Sequence, residues 1–206
     1  GIIAATNNNM VGMKEQFKKA QEMTTNDVPM LITMAEACMD IYNAEAKKPG
    51  KGNRDLRNDV INEATKLITR AETIDKNDAA IYITLGDLYT LQNISELPAS
   101  NYNKAITIDP NSAAAHYALS QYLFKAGQYN EAKDELLKTK DIDPKFALAY
   151  RDLSEIYFLA NQFDYAKKFA GEYRDLLGND KRANARYGTF LYLTKSYPDA
   201  VEALGG

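Results

Sequence analysis

The sequence predicts an all-α fold, a solenoid of antiparallel helix hairpins stacked in register. Three observations predict it. The chain repeats itself with a period of 34 residues. Within a period, apolar residues fall at helical spacing. Small residues recur where two paired helices have to touch. A fixed period between about 20 and 50 residues marks a repeat array, in which each unit buries its apolar face against its neighbours.

The columns are explicit. Gly86, Ser120, Ser154 and Gly188 stand 34 apart. Leu85, Leu119, Leu153 and Tyr187 precede them by one, and Tyr89, Leu123, Tyr157 and Leu191 follow by three. The stretches AGQYNEA (126–132), ANQFDYA (160–166) and TKSYPDA (194–200) each put an aromatic three residues before an alanine. Those alanines are Ala132, Ala166 and Ala200, and Pro98 holds the slot one period earlier. Pro110 and Pro144 close two periods, with Gly178 in the next slot.

Each period holds two helices. In 113–126, Leu119, Tyr122, Leu123 and Ala126 fall at i, i+3, i+4 and i+7. Gly127 breaks that pattern, and Gln128-Tyr129-Asn130 makes the turn. A second helix runs from about Asn130 to Ile142 and stops at Asp143-Pro144. That proline cannot continue a helix but can open the next one. The small residue on the first helix admits the second, and the alanine on the second is the matching contact. The aromatics Tyr129, Phe163 and Tyr197 cover the hairpin end.

These columns resemble the tetratricopeptide repeat, and the resemblance covers residues 28–206. Its usual tryptophan slot holds Leu31, Tyr82, His116, Tyr150 and Asn184. The resemblance implies a right-handed α-solenoid whose first helices line a concave groove that holds a partner segment. The register divides the chain into 28–78, 79–112, 113–146, 147–180 and a truncated 181–206. In 28–78, Met34, Ala35 and Cys38 match first-helix columns, and Ala64, Ile68 and Ala71 match second-helix columns. About 17 extra residues lie between them, including KKPGKGNRD (47–55). The reading is an elongated hairpin with a basic loop at 46–54. Residues 79–112 carry an irregular second helix, because Pro98 is tolerated only in a first turn. That helix is expected to begin near Ser95–Pro98, with looser packing. Residues 1–27 read as a tail and a lone second helix of a preceding repeat, on Phe17, Ala20 and Met23. At the other end, VEALGG stops midway through a second helix. The expectation is a portion of a longer array.

Composition excludes several function classes. The 206 residues are 45% hydrophobic and 26% charged, which is enough for a sizeable core. A net charge of −3 gives no electrostatic case for nucleic acid or an anionic membrane. No apolar run reaches the roughly 18–20 residues of a membrane span. The opening GIIAATNNN has neither the basic region nor the long apolar core of a secretory signal. The single cysteine, Cys38, excludes an internal disulfide, and the single histidine, His116, sits in a column that packs between helices. Both read as packing residues. With one of each there is no metal cluster or Cys/His dyad. KPGKGN (48–53) lacks the spacing and the preceding strand of a phosphate-binding loop, so it reads as a solvated loop. Carboxylates are spread over helix surfaces and form no acid/base pair. No cofactor is implied, and the sequence assigns no oligomeric state.

Candidate functional residues come from the register of the first helices. They are Ile83, Asp87 and Thr90; Tyr117, Gln121 and Phe124; Arg151, Glu155 and Phe158; and Arg182, Arg186, Thr189 and Tyr192. Phe124, Phe158 and Tyr192 are again 34 apart and form an aromatic ladder. Its rings either contact a ligand or pack against the neighbouring repeat. Arg151, Arg182 and Arg186 are expected on adjacent first helices. They are similar to the basic clamp with which some tetratricopeptide domains hold a C-terminal carboxylate. The Lys-and-Asn pair of that clamp is replaced here by Arg151 and Glu155, and Asp152 and Glu155 offset the arginines. Intramolecular ion pairs are the competing reading. The resulting expectation is a non-catalytic scaffold that binds another protein or peptide in its groove. The alternatives are a docking region of a larger enzyme or signalling protein, and a structural component without a peptide ligand. FALAYRDLSEIYFLANQFDYAKKF and RYGTFLYLTKSYPDAVEAL also resemble long tetratricopeptide proteins of Bacteroidota, many of them exported. That resemblance implies a bacterial cell envelope or periplasm over the cytoplasm.

Overall fold

The computed structural model describes residues 26–178 and 180–205, in two compact units that divide after Pro110. Among the described residues there are ten α-helices and no strand. The lone helix read from Phe17, Ala20 and Met23 lies outside the described residues.

The first unit contains α1 (Val28–Ala46), a 3-10 turn (Pro49–Lys51), α2 (Arg54–Ile74), α3 (Ala79–Leu91) and α4 (Leu97–Ile108). Asp27, Asn53 and Asp78 cap α1, α2 and α3, each accepting from a backbone N–H in the first turn. The helices pair as α1 with α2 and α3 with α4, and α3 also packs on both members of the first pair. Leu31, Ala35, Cys38, Ala64, Leu67 and Ile68 make a fully buried seam. Pro98 is buried in the first turn of α4, which has no side-chain cap. The α3–α4 contact depends on Gly86. A Cβ there would lie 2.4 Å from the buried Tyr102 ring. The Tyr102 hydroxyl donates to Asp87 Oδ1 at 2.7 Å.

The loop between α1 and α2 is tied down by one carboxylate. Glu45 is buried, and it accepts from the Lys48 ammonium and from the Asn53 N–H at 3.1 Å. Gly52 has φ +60, and a Cβ on it would strike the Glu45 carbonyl. Only glycine suits both the backbone and the close approach.

The second unit contains α5 (Ala113–Lys125), α6 (Tyr129–Ile142), α7 (Ala147–Leu159), α8 (Phe163–Leu177), α9 (Lys181–Leu193) and α10 (Tyr197–Gly205). Consecutive pairs form the hairpins α5/α6, α7/α8 and α9/α10. Helix α6 packs on α7, and α8 packs on α9. Ala132, Ala149, Ala166 and Ala183 are wholly buried, so helix axes approach closely there. Leu136, Leu153, Ile156 and Phe169 fill the core between them. Ser120 and Ser154 are also wholly buried. Each hydroxyl is satisfied locally, donating to the carbonyl of Tyr117 and Arg151 respectively.

In the four hairpins α3/α4 to α9/α10 the first helix ends in the same way, although the α3/α4 loop is two residues longer than the others. Asn93, Gly127, Asn161 and Lys195 all have positive φ, at 56°, 78°, 57° and 63°. The next residue donates back to the carbonyl five positions earlier, as Ile94 to Tyr89, Gln128 to Leu123, Gln162 to Tyr157 and Ser196 to Leu191, at 2.8–3.0 Å. This is a Schellman ending, which satisfies carbonyls at the helix C-terminus. Only one of the four is glycine. Lysine tolerates this conformation least well, having no side-chain bond to compensate.

Substitution at these turns should move stability in opposite directions. Lys195→Gly should stabilise the chain by about 0.5–1 kcal/mol, and Gly127→Ala should cost about 1 kcal/mol, both read by urea unfolding. Nothing lies within 4 Å of a Cβ at Gly127, so the cost there is purely backbone. The loop at Glu45 should respond to pH. Its hydrogen bond from Lys48, and then that from Asn53, hold the Glu45 carboxyl below the usual range. Its contribution is complete above the ordinary glutamate value of about 4.3 and is lost as pH falls through the lowered value. Hydrogen exchange of the amides of residues 47, 48 and 50–53, normalised for intrinsic rates, should show protection falling as pH drops below the ordinary glutamate range. Glu45→Gln should flatten that dependence.

Candidate functional site

The first helices of the second unit are joined by a chain of polar side chains. At its centre is Asp152 on α7, 9% exposed. Burying a carboxylate is costly unless donors surround it. Three do: Tyr117 Oη at 3.0 Å and Gln121 Nε2 at 2.8 Å from α5, and Arg151 Nε at 2.6 Å from its own helix. A second guanidinium nitrogen of Arg151 donates to Tyr117 Oη at 3.3 Å. Burial and then the Asp152 charge push the Tyr117 phenol well above its ordinary value. The hydrogen bond to Asp152 pushes Arg151 up.

On the other side of α7, Arg186 reaches across from α9. Its Nε donates to Ser154 Oγ at 3.0 Å and its Nη2 to Glu155 Oε2 at 2.6 Å. Five of the candidate residues therefore fall in two bonded groups that share α7: Tyr117, Gln121 and Arg151 around Asp152, and Arg186 with Glu155. Arg182 and Thr189 are exposed on α9 and stand outside these bonds. The Thr189 hydroxyl donates to its own helix, at Ala185.

The aromatic ladder is organised differently. Each of its rings meets the aromatic that opens the following helix. Phe124 meets Tyr129 at 5.2 Å, Phe158 meets Phe163 at 5.9 Å, and Tyr192 meets Tyr197 at 5.4 Å between centroids. Phe158 also meets Phe190 of the next hairpin at 5.7 Å. The ladder thus closes hairpin tips, while leaving Phe158 39% and Tyr192 62% exposed. Ile83, Asp87 and Thr90 lie in the first unit, where Asp87 and Thr90 are engaged with Tyr102.

A pocket of about 220 Å³ opens between α5, α6 and α7. Gln121, Phe124, Arg151, Asp152 and Glu155 line it, with buried Leu136 at its base. Two further concavities lie outside the candidate residues. One of about 620 Å³ separates α6 from α8 and includes Lys140, Tyr150, Lys168 and Leu176. Another, of about 470 Å³, lies between the turns at 161–165 and 193–195. Sequence reading missed both, because each is a space between helices or turns whose lining residues are brought together only by packing.

The sequence-level packing residues have defined places. Burial, and secondarily the charge of Glu63, pushes the Cys38 thiol up to about 12. A thiol held protonated is a poor nucleophile. His116 Nδ1 lies 2.6 Å from Glu135 Oε2, tying α5 to α6. Among the described residues, no group of three or more His, Cys, Asp or Glu could hold a metal ion, and no helix is long and apolar enough to cross a membrane.

Asp152 and Arg186 should differ sharply in stability scans. Asp152→Ala strands three donors and should cost about 1.5–3 kcal/mol by urea unfolding. Arg186→Ala breaks a pair whose Glu155 side chain is 46% exposed, and should cost under about 1 kcal/mol.

Residues 101–134 match the family model of the tetratricopeptide repeat, a span from inside α4 to inside α6. No curated protein matches the chain. Solved structures do. PilW, a type IV pilus biogenesis factor, is 17% identical with a TM-score of 0.69, over 97% of this chain and 85% of that one. MamA from Desulfovibrio magneticus RS-1 is 20% identical with a TM-score of 0.60, over 84% and 92%. YrrB, described as a tetratricopeptide protein with an unusual peptide-binding site, is 16% identical with a TM-score of 0.57, over 92% and 89%. At these identities the likeness concerns the fold. Helix pairing, period and matched segment agree on one conclusion: this is an all-α helical-repeat chain of the tetratricopeptide-repeat fold.

Proposed function

We propose that the chain is a non-catalytic protein-interaction scaffold that receives a peptide or helical segment of another protein on the face built by α5, α7 and α9. The observation that carries this reading is the pocket between α5, α6 and α7. Four of the candidate groove residues line it, and the Asp152-centred bonds hold its polar wall in place before any partner arrives. Preorganised side chains lose little entropy on binding, which raises affinity without added contact area. The peptide-binding description of YrrB, a neighbour in fold, agrees with this reading. The clamp for a C-terminal carboxylate is disfavoured, since Arg151 and Arg186 already face carboxylates.

In-cell photo-crosslinking tests the proposal. A photoreactive residue at position 121 or 189 should capture a protein partner, whereas the same residue at 168 or 172 on α8 should not. Thr189→Arg, at an exposed position, should reduce capture from position 121 at least several-fold with unchanged melting. Capture only from 168 and 172 would place binding on the second helices and end the groove reading.

A further inference from the structure

We infer that the pocket bounded by Gln121, Phe124, Leu136, Arg151, Asp152 and Glu155 is an anchor site for one tyrosine or tryptophan of the partner segment. The inference rests on the groove reading and names what the groove selects. Size is the first argument. At about 220 Å³ the pocket falls below the roughly 300–1,000 Å³ of small-molecule sites and suits a single large side chain.

Lining chemistry is the second. The base is apolar, from Leu136 at 1% exposure and the Phe124 ring. The rim offers acceptors. Gln121 donates through Nε2 and Glu155 accepts through Oε2, so Gln121 Oε1 and Glu155 Oε1 take no hydrogen bond among the described residues. Charge then eliminates the other anchors. An acidic side chain would meet Asp152 and Glu155. A basic one would meet the Arg151 guanidinium in the lining, with Arg186 beside Glu155. An aliphatic one would bury against the rim acceptors and leave them unpaired, which is penalised. An aromatic ring with one donor satisfies all the terms. Its face packs on Phe124 and Leu136, its π-system favours the Arg151 cation, and its O–H or N–H donates to Gln121 or Glu155. Tyrosine and tryptophan are also the residues that most often carry interface energy.

Displayed random peptides selected against the whole purified chain test this. The enriched set should share one fixed Tyr or Trp. The chain contains no tryptophan, so a Trp-bearing synthetic peptide reports its own occupancy by fluorescence. Replacing the fixed residue by Ala should weaken binding at least about tenfold. Tyr→Phe at that position should weaken it several-fold through loss of the donor. Nuclear Overhauser contacts should join the fixed ring to the Leu136 methyls. Enriched peptides that bind the α5, α7 and α9 face without a fixed Tyr or Trp, or whose ring shows no Leu136 contact, overturn the inference and leave the groove reading intact. Peptides insensitive to both Gln121→Leu and Thr189→Arg overturn the groove reading with it.

Discussion

One left-handed residue at the end of the first helix is the constraint on which the four hairpins α3/α4 to α9/α10 depend. At Asn93, Gly127, Asn161 and Lys195 the chain leaves the first helix with positive φ and bonds back five residues. In the second unit, the residue two positions later is an aromatic, and the residue three positions earlier is its ring partner. The turn therefore delivers both rings to the same tip, and their contact holds the two helices at a fixed entry angle. Behind these tips Ala132 and Ala166 are wholly buried, each in an apolar cluster shared with the next hairpin. A local backbone constraint becomes a global repeat because stacking depends only on neighbours.

The same regularity creates the candidate site. When hairpins stack at one spacing, each first helix presents its outer face to the next at side-chain distance. Helix α7 sits between two such neighbours and carries Asp152, Ser154 and Glu155. Residues from α5 bond to the first, and Arg186 from α9 bonds to the others. Asp152 is the costly member. Its burial is tolerable because three donors converge on it, two of them from another helix. The side chains of α5 and α7 are thus tied together by the carboxylate that the sequence alone made look like a mere offset to arginine charge.

Legibility depended on whether a property was local. Helix spacing, the break at Gly127 and the stop at Asp143-Pro144 are consequences of three or four adjacent residues, and these were readable. Reading Gly127 alone, however, hid that Asn161 and Lys195 adopt the same backbone, because nothing in a lysine's identity announces positive φ. Ser120 and Ser154 were legible as small. The acceptor role of Ser154 toward Arg186 was not, because it depends on a residue 32 positions away. The aromatic ladder was legible as a period. Its partners Tyr129, Phe163 and Tyr197 were legible as turn covers. That each ring of one set rests on a ring of the other required the turn geometry.

The sequence by itself determined the helical period, the pairing of helices into hairpins and the columns that are buried, because these arise from short-range propensity and periodic burial repeated at 34 residues. Only the tertiary structure decided which polar groups are spent and which are left over. In one dimension Arg151 and Arg186 are either a clamp or members of ion pairs, and both face carboxylates once α5, α7 and α9 have packed. Among the described residues Gln121 Oε1 and Glu155 Oε1 take no hydrogen bond, and both side chains line one pocket with Leu136. Side-chain pairing across helices is a matter of distances between residues a period apart, and those distances exist only after the hairpins have packed.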